Sequence, residues 1–93
     1  MRVRIIGGPG SGKTRLAQSL SDQIAVPSYS LDDVPYDPHG SDTRPIHERV
    51  RVVSDLASQP DWITEGAFLW WIEAHLTSAD TIIWLGDGWP RGG

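Results

Sequence analysis

Residues 7 to 14 read Gly7-Gly8-Pro9-Gly10-Ser11-Gly12-Lys13-Thr14, an uninterrupted G-x-x-x-x-G-K-[ST] pattern that directly follows the apolar run Val3, Ile5 and Ile6. No other feature constrains the fold as tightly, because such a turn belongs between a strand and the N-terminus of a helix. Gly7, Gly8, Gly10 and Gly12 let the backbone turn so that successive N–H groups point inward at phosphate oxygens. Lys13 is placed to reach the β- and γ-phosphates as a compact cation, and the Thr14 hydroxyl to complete the shell of a Mg²⁺ ion. Lys13 is also the only lysine in the chain, whereas a lysine kept for solvation would have company. The alternative is a glycine-rich strand-to-helix turn with no ligand.

Ninety-three residues make one domain, and a chain of this size buries only about 60 to 65% of the surface that it exposes when unfolded. The net charge of −4 argues against a general nucleic-acid or anionic-membrane surface, either of which needs clustered Lys and Arg. There is no cysteine, which excludes disulfides and thiolate metal sites and fits a reducing cytoplasm, the expected location. Arg2 and Arg4 stand near the N-terminus without an apolar stretch behind them, and no run approaches the length of a membrane span.

Along the chain, strand-like and helix-like segments alternate. Met1 to Ile6 reads as a first strand, and Lys13 to Ile24 as a helix with Leu16, Ala17, Leu20 and Ile24 at helical spacing, stopped by Pro27. Ser28 to Leu31 is a second strand, and Asp32 to Thr43 is a polar loop gathering Pro35, Pro38, Gly40 and four aspartates. A second helix is expected from an N-cap near Asp42 or Thr43, with Pro45 in its first turn and Ile46, Val50, Val53, Leu56 and Ala57 on one face. Trp62 to Thr64 is a third strand. Ala67 to Ser78 is a third helix with Phe68, Leu69, Ile72 and Leu76 inward, and Thr81 to Leu85 is a fourth strand, apolar on both faces. The rhythm β-α-β-α-β-α-β builds a parallel sheet covered by helices on both faces, since right-handed crossovers leave few other topologies. Residues 1 to 85 form the core, and 86 to 93 read as a flexible Gly-rich tail.

Two carboxylates stand at the carboxyl edge of the expected sheet, where such folds place ligands. Asp32, just past the second strand, can orient or deprotonate an acceptor hydroxyl, or it can be ordinary turn chemistry together with Asp33. Glu65, ending the third strand, can hold Mg²⁺ through water or be a surface-loop carboxylate, and Gly66 beside it permits close approach of a substrate. Trp62, Trp70, Trp71 and Trp84 read as core, although Trp70 or Trp71 must face outward or into a cleft. His39, His47 and His75 have no metal-ligand spacing. Arg44, Arg49 and Arg51 either clamp a second anion or pair with Glu48 and Asp55.

The segments Arg4 to Thr14, Ser30-Leu31-Asp32, Trp62-Ile63-Thr64-Glu65-Gly66 and Ala79-Asp80-Thr81-Ile82-Ile83-Trp84-Leu85 together resemble adenylate-kinase-like P-loop kinases, nearest to the topology-modulation (FlaR-type) proteins. The resemblance spans about residues 2 to 85. It implies a three-layer α/β/α P-loop NTPase with strand order 2-3-1-4, and 2-3-1-4-5 where a fifth strand follows. It also implies ATP and Mg²⁺ at Gly7 to Thr14, and acceptor-side groups near Asp32 and Glu65-Gly66. The implied activity is transfer of the γ-phosphoryl group of ATP to a nucleotide or small-molecule acceptor. Members of the family continue with an arginine-bearing lid helix and a fifth strand, whereas here Arg91 is the only arginine after Arg51, and Gly86 stands where the pattern commonly has an acid. The expectation is therefore a truncated kinase that binds nucleotide, with the alternative of a binding module without phosphotransfer. The open edge of the fourth strand is expected to favour self-association.

Overall fold

The computed structural model describes residues 1–8, 10–34 and 44–86. In chain order they form β1 (Arg2–Gly7), α1 (Lys13–Ile24), β2 (Ser28–Ser30), a 3-10 turn (Leu31–Asp33), α2 (Ile46–Ala57), β3 (Trp62–Gly66), α3 (Trp70–Glu73) and β4 (Thr81–Leu85). The strands make one parallel sheet in the order β2-β3-β1-β4, as expected. Strand β1 lies between β3 and β4, and its residues from Val3 to Gly7 are all buried.

Alternation along the strands sorts the core into two layers. Val3, Ile5 and Ile63 face α1, where they meet Ala17 and Val26, with Leu16, Leu20 and Ile24 of the helix closing over them. Helix α1 starts behind Gly12, whose φ of 85° is a left-handed conformation that costs a residue with a Cβ. It ends at Ala25, also left-handed at φ 57°, whose N–H donates to the Ser21 carbonyl at 2.9 Å. Pro27 then prevents continuation.

On the opposite face Val53 and Leu56 of α2, Ile72 of α3 and Leu76 just after it pack against Trp62, Leu31 and Val34. Trp62 is fully buried, and its indole N–H donates to the Ala57 carbonyl at the end of α2, 3.3 Å away. A buried aromatic of this size needs such a partner for its polar end.

Two expectations about elements change. Helix α2 begins at Ile46, with Pro45 extended in front of it (φ −59°, ψ 156°) and its carbonyl accepting from the Glu48 and Arg49 N–H groups. The expected caps Asp42 and Thr43 lie outside the described residues, as do 35–43 of the polar loop and 87–93 of the tail. The third helix is one turn long, not twelve residues, and Phe68 and Leu69 are exposed while Ile72 and Leu76 are buried. Its backbone is diverted at Ala67, whose carbonyl accepts from Arg4 of β1 and whose N–H donates to Asp32, while the Leu69 N–H donates to Glu73 of α3 itself.

The tryptophans divide accordingly. Trp62 is core and Trp71 packs against it, but Trp70 is 78% exposed and Trp84 64% exposed. Trp84 stacks on Phe68 with ring centroids 5.6 Å apart. Strand β4 pairs with β1 and with no other described strand, and the short α3 leaves Ile82 and Trp84 open to solvent. No helix among the described residues is long and apolar enough to cross a membrane.

Candidate nucleotide site

The glycine-rich segment joins the central strand to α1 at the carboxyl edge of the sheet. Gly7 ends β1 where a Cβ would collide with the Ser11 side chain and come within 3.2 Å of the Leu85 Cβ. The Ser11 N–H closes the turn onto the Gly8 carbonyl at 3.2 Å, and the Leu16 N–H takes the Gly12 carbonyl at 2.9 Å as the helix begins. Gly10 and Gly12 are both left-handed (φ 77° and 85°) with open space around them, so this turn is made by backbone freedom rather than by close packing. Pro9 lies outside the described residues.

Lys13 opens α1, and its Nζ lies 3.2 Å from Asp32 Oδ2 and 4.0 Å from Glu65 Oε1. Thr14 Oγ1 donates to Glu65 Oε2 at 3.0 Å. The topology explains this convergence: β2 and β3 pair in parallel with Ser30 beside Glu65, and β3 pairs with β1 with Ile6 beside Gly66. The two carboxylates therefore leave their strands at the same edge as the loop. Glu65 is 3% exposed, while Asp32 in the 3-10 turn is about half exposed. A Cβ at Gly66 would stand 3.1 Å from Asp32 Oδ1, so glycine lets the two segments close together. Asp32 Oδ1 accepts from the Ala67 N–H at 3.2 Å, which fixes one carboxylate oxygen and leaves the other toward Lys13.

The site thus gathers one ammonium against two carboxylates in a partly enclosed setting. Two polar atoms, Glu65 Oε1 and Ser11 Oγ, are buried with no hydrogen-bond partner among the described residues. Burying such atoms unpaired is costly, so each has capacity for a ligand.

The other sequence candidates lie elsewhere. The Arg44 guanidinium donates to the Val34 carbonyl and Arg49 Nε to the Arg44 carbonyl, each at 2.8 Å. Among the described residues no ion pair joins these arginines or Arg51 to Glu48 or Asp55. His75 Nδ1 lies 3.5 Å from Ser54 Oγ, and no group of three metal-ligating side chains occurs among the described residues.

A buried pair escaped the sequence reading. Arg4, in the middle of β1, is 1% exposed and forks onto Glu73 through two 2.8 Å bonds. The signal was available: Arg4 sits inside an apolar strand, and a charge there requires a partner.

A parallel sheet in this order, with a glycine-rich loop between its central strand and the following helix, is the core of the P-loop kinase fold. Among solved structures it resembles the shikimate kinase of Aquifex aeolicus, with a TM-score of 0.67 and 18% identity. The match covers 92% of this chain and 63% of the kinase, so the chain spans under two thirds of that enzyme's length. No protein-family model matches the chain, and no curated protein matches its sequence.

Proposed function

We propose that the chain is the nucleotide-binding core of a kinase of the adenylate-kinase-like, topology-modulation type, which passes the γ-phosphoryl group of ATP to a hydroxyl of a nucleotide or small-molecule acceptor. The observation that carries this reading is the junction of Lys13 and Thr14 with Asp32 and Glu65 at one sheet edge. A bare nucleotide polyanion meets more negative than positive side-chain charge there, so a divalent cation must accompany it. The donor set fits Mg²⁺: a hydroxyl, and a buried carboxylate whose Oε1 has no hydrogen-bond partner among the described residues. Thr14 and Glu65 would hold that ion, which supplies neutralisation of charge between the β- and γ-phosphates.

The loop amides cradle the phosphates and α1 adds its N-terminal dipole. Lys13 exchanges its contact with Asp32 for the transferring phosphate. Asp32, still held at Oδ1 by Ala67, then presents Oδ2 to the acceptor hydroxyl and takes its proton. The acceptor oxygen bonds to the γ-phosphorus as the bond to the leaving ADP oxygen breaks.

Calorimetric titration with ATP and Mg²⁺ tests the binding half. Saturable binding is expected, weakened about tenfold or more by Lys13→Ala, since a hydrogen bond to a charged group contributes roughly 1.5–3 kcal/mol. A folded chain that takes up no nucleotide overturns the reading.

A second reading, a nucleotide-binding module without phosphotransfer, is favoured by one observation. Among the described residues no arginine side chain hydrogen-bonds or ion-pairs with Lys13, Asp32 or Glu65. An arginine at the transferring group contributes about 10³–10⁵ in rate. Phosphorylated acceptor in a screen of nucleotides and small alcohols favours the first reading. Binding without product favours the second.

A further inference from the structure

The strongest unexplained feature is the Arg4–Glu73 pair. A buried ion pair contributes little net stability, because apolar side chains of similar volume often do as well or better, so packing alone gives no reason for it. Its hydrogen bonds give one. Besides the fork onto Glu73, Arg4 Nη2 donates to the Ala67 carbonyl at 3.0 Å and Nη1 to the Ile5 carbonyl at 2.9 Å. Glu73 Oε2 also accepts from the Leu69 N–H at 3.2 Å. The pair therefore grips the segment that leaves β3 at a carbonyl and at an N–H two residues apart. Between those two grips and the nucleotide site stands Ala67 itself. Its carbonyl belongs to Arg4, and its N–H belongs to Asp32, whose other oxygen faces Lys13.

We infer that Arg4 and Glu73 are positioning residues for Asp32. They fix the backbone at Ala67, so that its N–H aims at Oδ1 and the carboxylate turns Oδ2 toward Lys13. The importance of that orientation for phosphoryl transfer rests on the function proposed above, but the orientation itself can be read without any substrate. The peptide backbone here cannot choose its direction alone. Segment 67–69 carries no ladder partner, and its Ala67 carbonyl, Ala67 N–H and Leu69 N–H all bond to side chains.

The test compares wild type, Arg4→Met/Glu73→Leu, Arg4→Lys and Asp32→Ala by amide NMR and hydrogen exchange. Replacing both charges by apolar groups avoids stranding one of them, and urea unfolding checks that the double variant is folded. The Ala67 amide is expected to move toward its position in Asp32→Ala and to lose about tenfold or more of its exchange protection, as loss of a charge-assisted bond implies. Arg4→Lys, which keeps the charge without the fork, is expected to fall between. An Ala67 amide in the folded double variant with wild-type shift and protection overturns the inference. Should the double variant not fold, the same amide in Arg4→Lys decides, and a wild-type signal there overturns it equally. Titrating wild type with ATP and Mg²⁺ separates the two ideas: silent loop amides sink the nucleotide site, whereas an unmoved Ala67 in the variants sinks only the positioning role.

Discussion

Single side chains differ in how visible their placement was. Lys13 and Thr14 were legible because their motif fixes local geometry, and Asp32 and Glu65 because a parallel sheet delivers strand ends to one edge. Arg4 was legible only in part: a charge inside an apolar strand calls for a partner, but that partner stands 69 residues away and only the folded chain brings them together. At Gly12, with φ 85°, a Cβ costs about 1–2 kcal/mol. Gly12→Ala is therefore expected to lower stability by about that amount in urea unfolding. Glu65→Gln probes the metal reading. The amide still offers Thr14 an acceptor of the same shape but no charge, so the fold should survive while the help that Mg²⁺ gives to ATP binding falls about tenfold. Titrations with and without Mg²⁺ read this directly. An unchanged Mg²⁺ dependence would remove Glu65 from the metal site.

At the level of elements, reliability followed how local the controlling forces are. Helix α1 took the expected limits because its start is set by the loop and its stop by Pro27. For α3 the apolar spacing of Phe68, Leu69, Ile72 and Leu76 pointed to three turns, but a helix from residue 67 needs the Ala67 carbonyl, which Arg4 of β1 has already taken. Periodicity cannot register such long-range competition. Only Ile72 and Leu76, beyond the diverted segment, kept the burial that the pattern implied. The end of α1 carries a testable compromise. Ala25 takes the left-handed conformation usually given to glycine, so Ala25→Gly should relieve it. Set against the added freedom of the unfolded chain, the net gain is about 0.5–1 kcal/mol, measurable as a higher urea midpoint. A lower midpoint would mean that the Ala25 methyl contributes packing that outweighs its backbone cost.

For the whole molecule, the layered parallel sheet and its order were legible, since alternating elements and right-handed crossovers leave little freedom. What alternation could not report is which strand faces would be covered. Thr81 to Leu85 has the apolar sequence of a buried strand, yet Ile82 and Trp84 are more than half exposed, with Trp84 stacked on Phe68. A charge-free strand that pairs with β1 and with no other described strand can pair with its own copy, since two-fold antiparallel pairing places no like charges opposite one another within Thr81–Leu85. Association between identical chains must still bring together two molecules of net charge −4. Salt screens that repulsion over about 8–10 Å near physiological ionic strength and leaves burial of Ile82 and Trp84 intact. The dimer fraction should therefore rise with protein concentration and with salt. It should fall in Trp84→Lys, which puts two positive charges near the two-fold axis, even though that variant lowers the net charge that opposes association. Light scattering across a salt series separates the two effects: a variant that dimerises as readily as wild type would show that contact lies elsewhere than β4, and a dimer that dissociates with salt would show that it is held by ion pairs rather than by this edge.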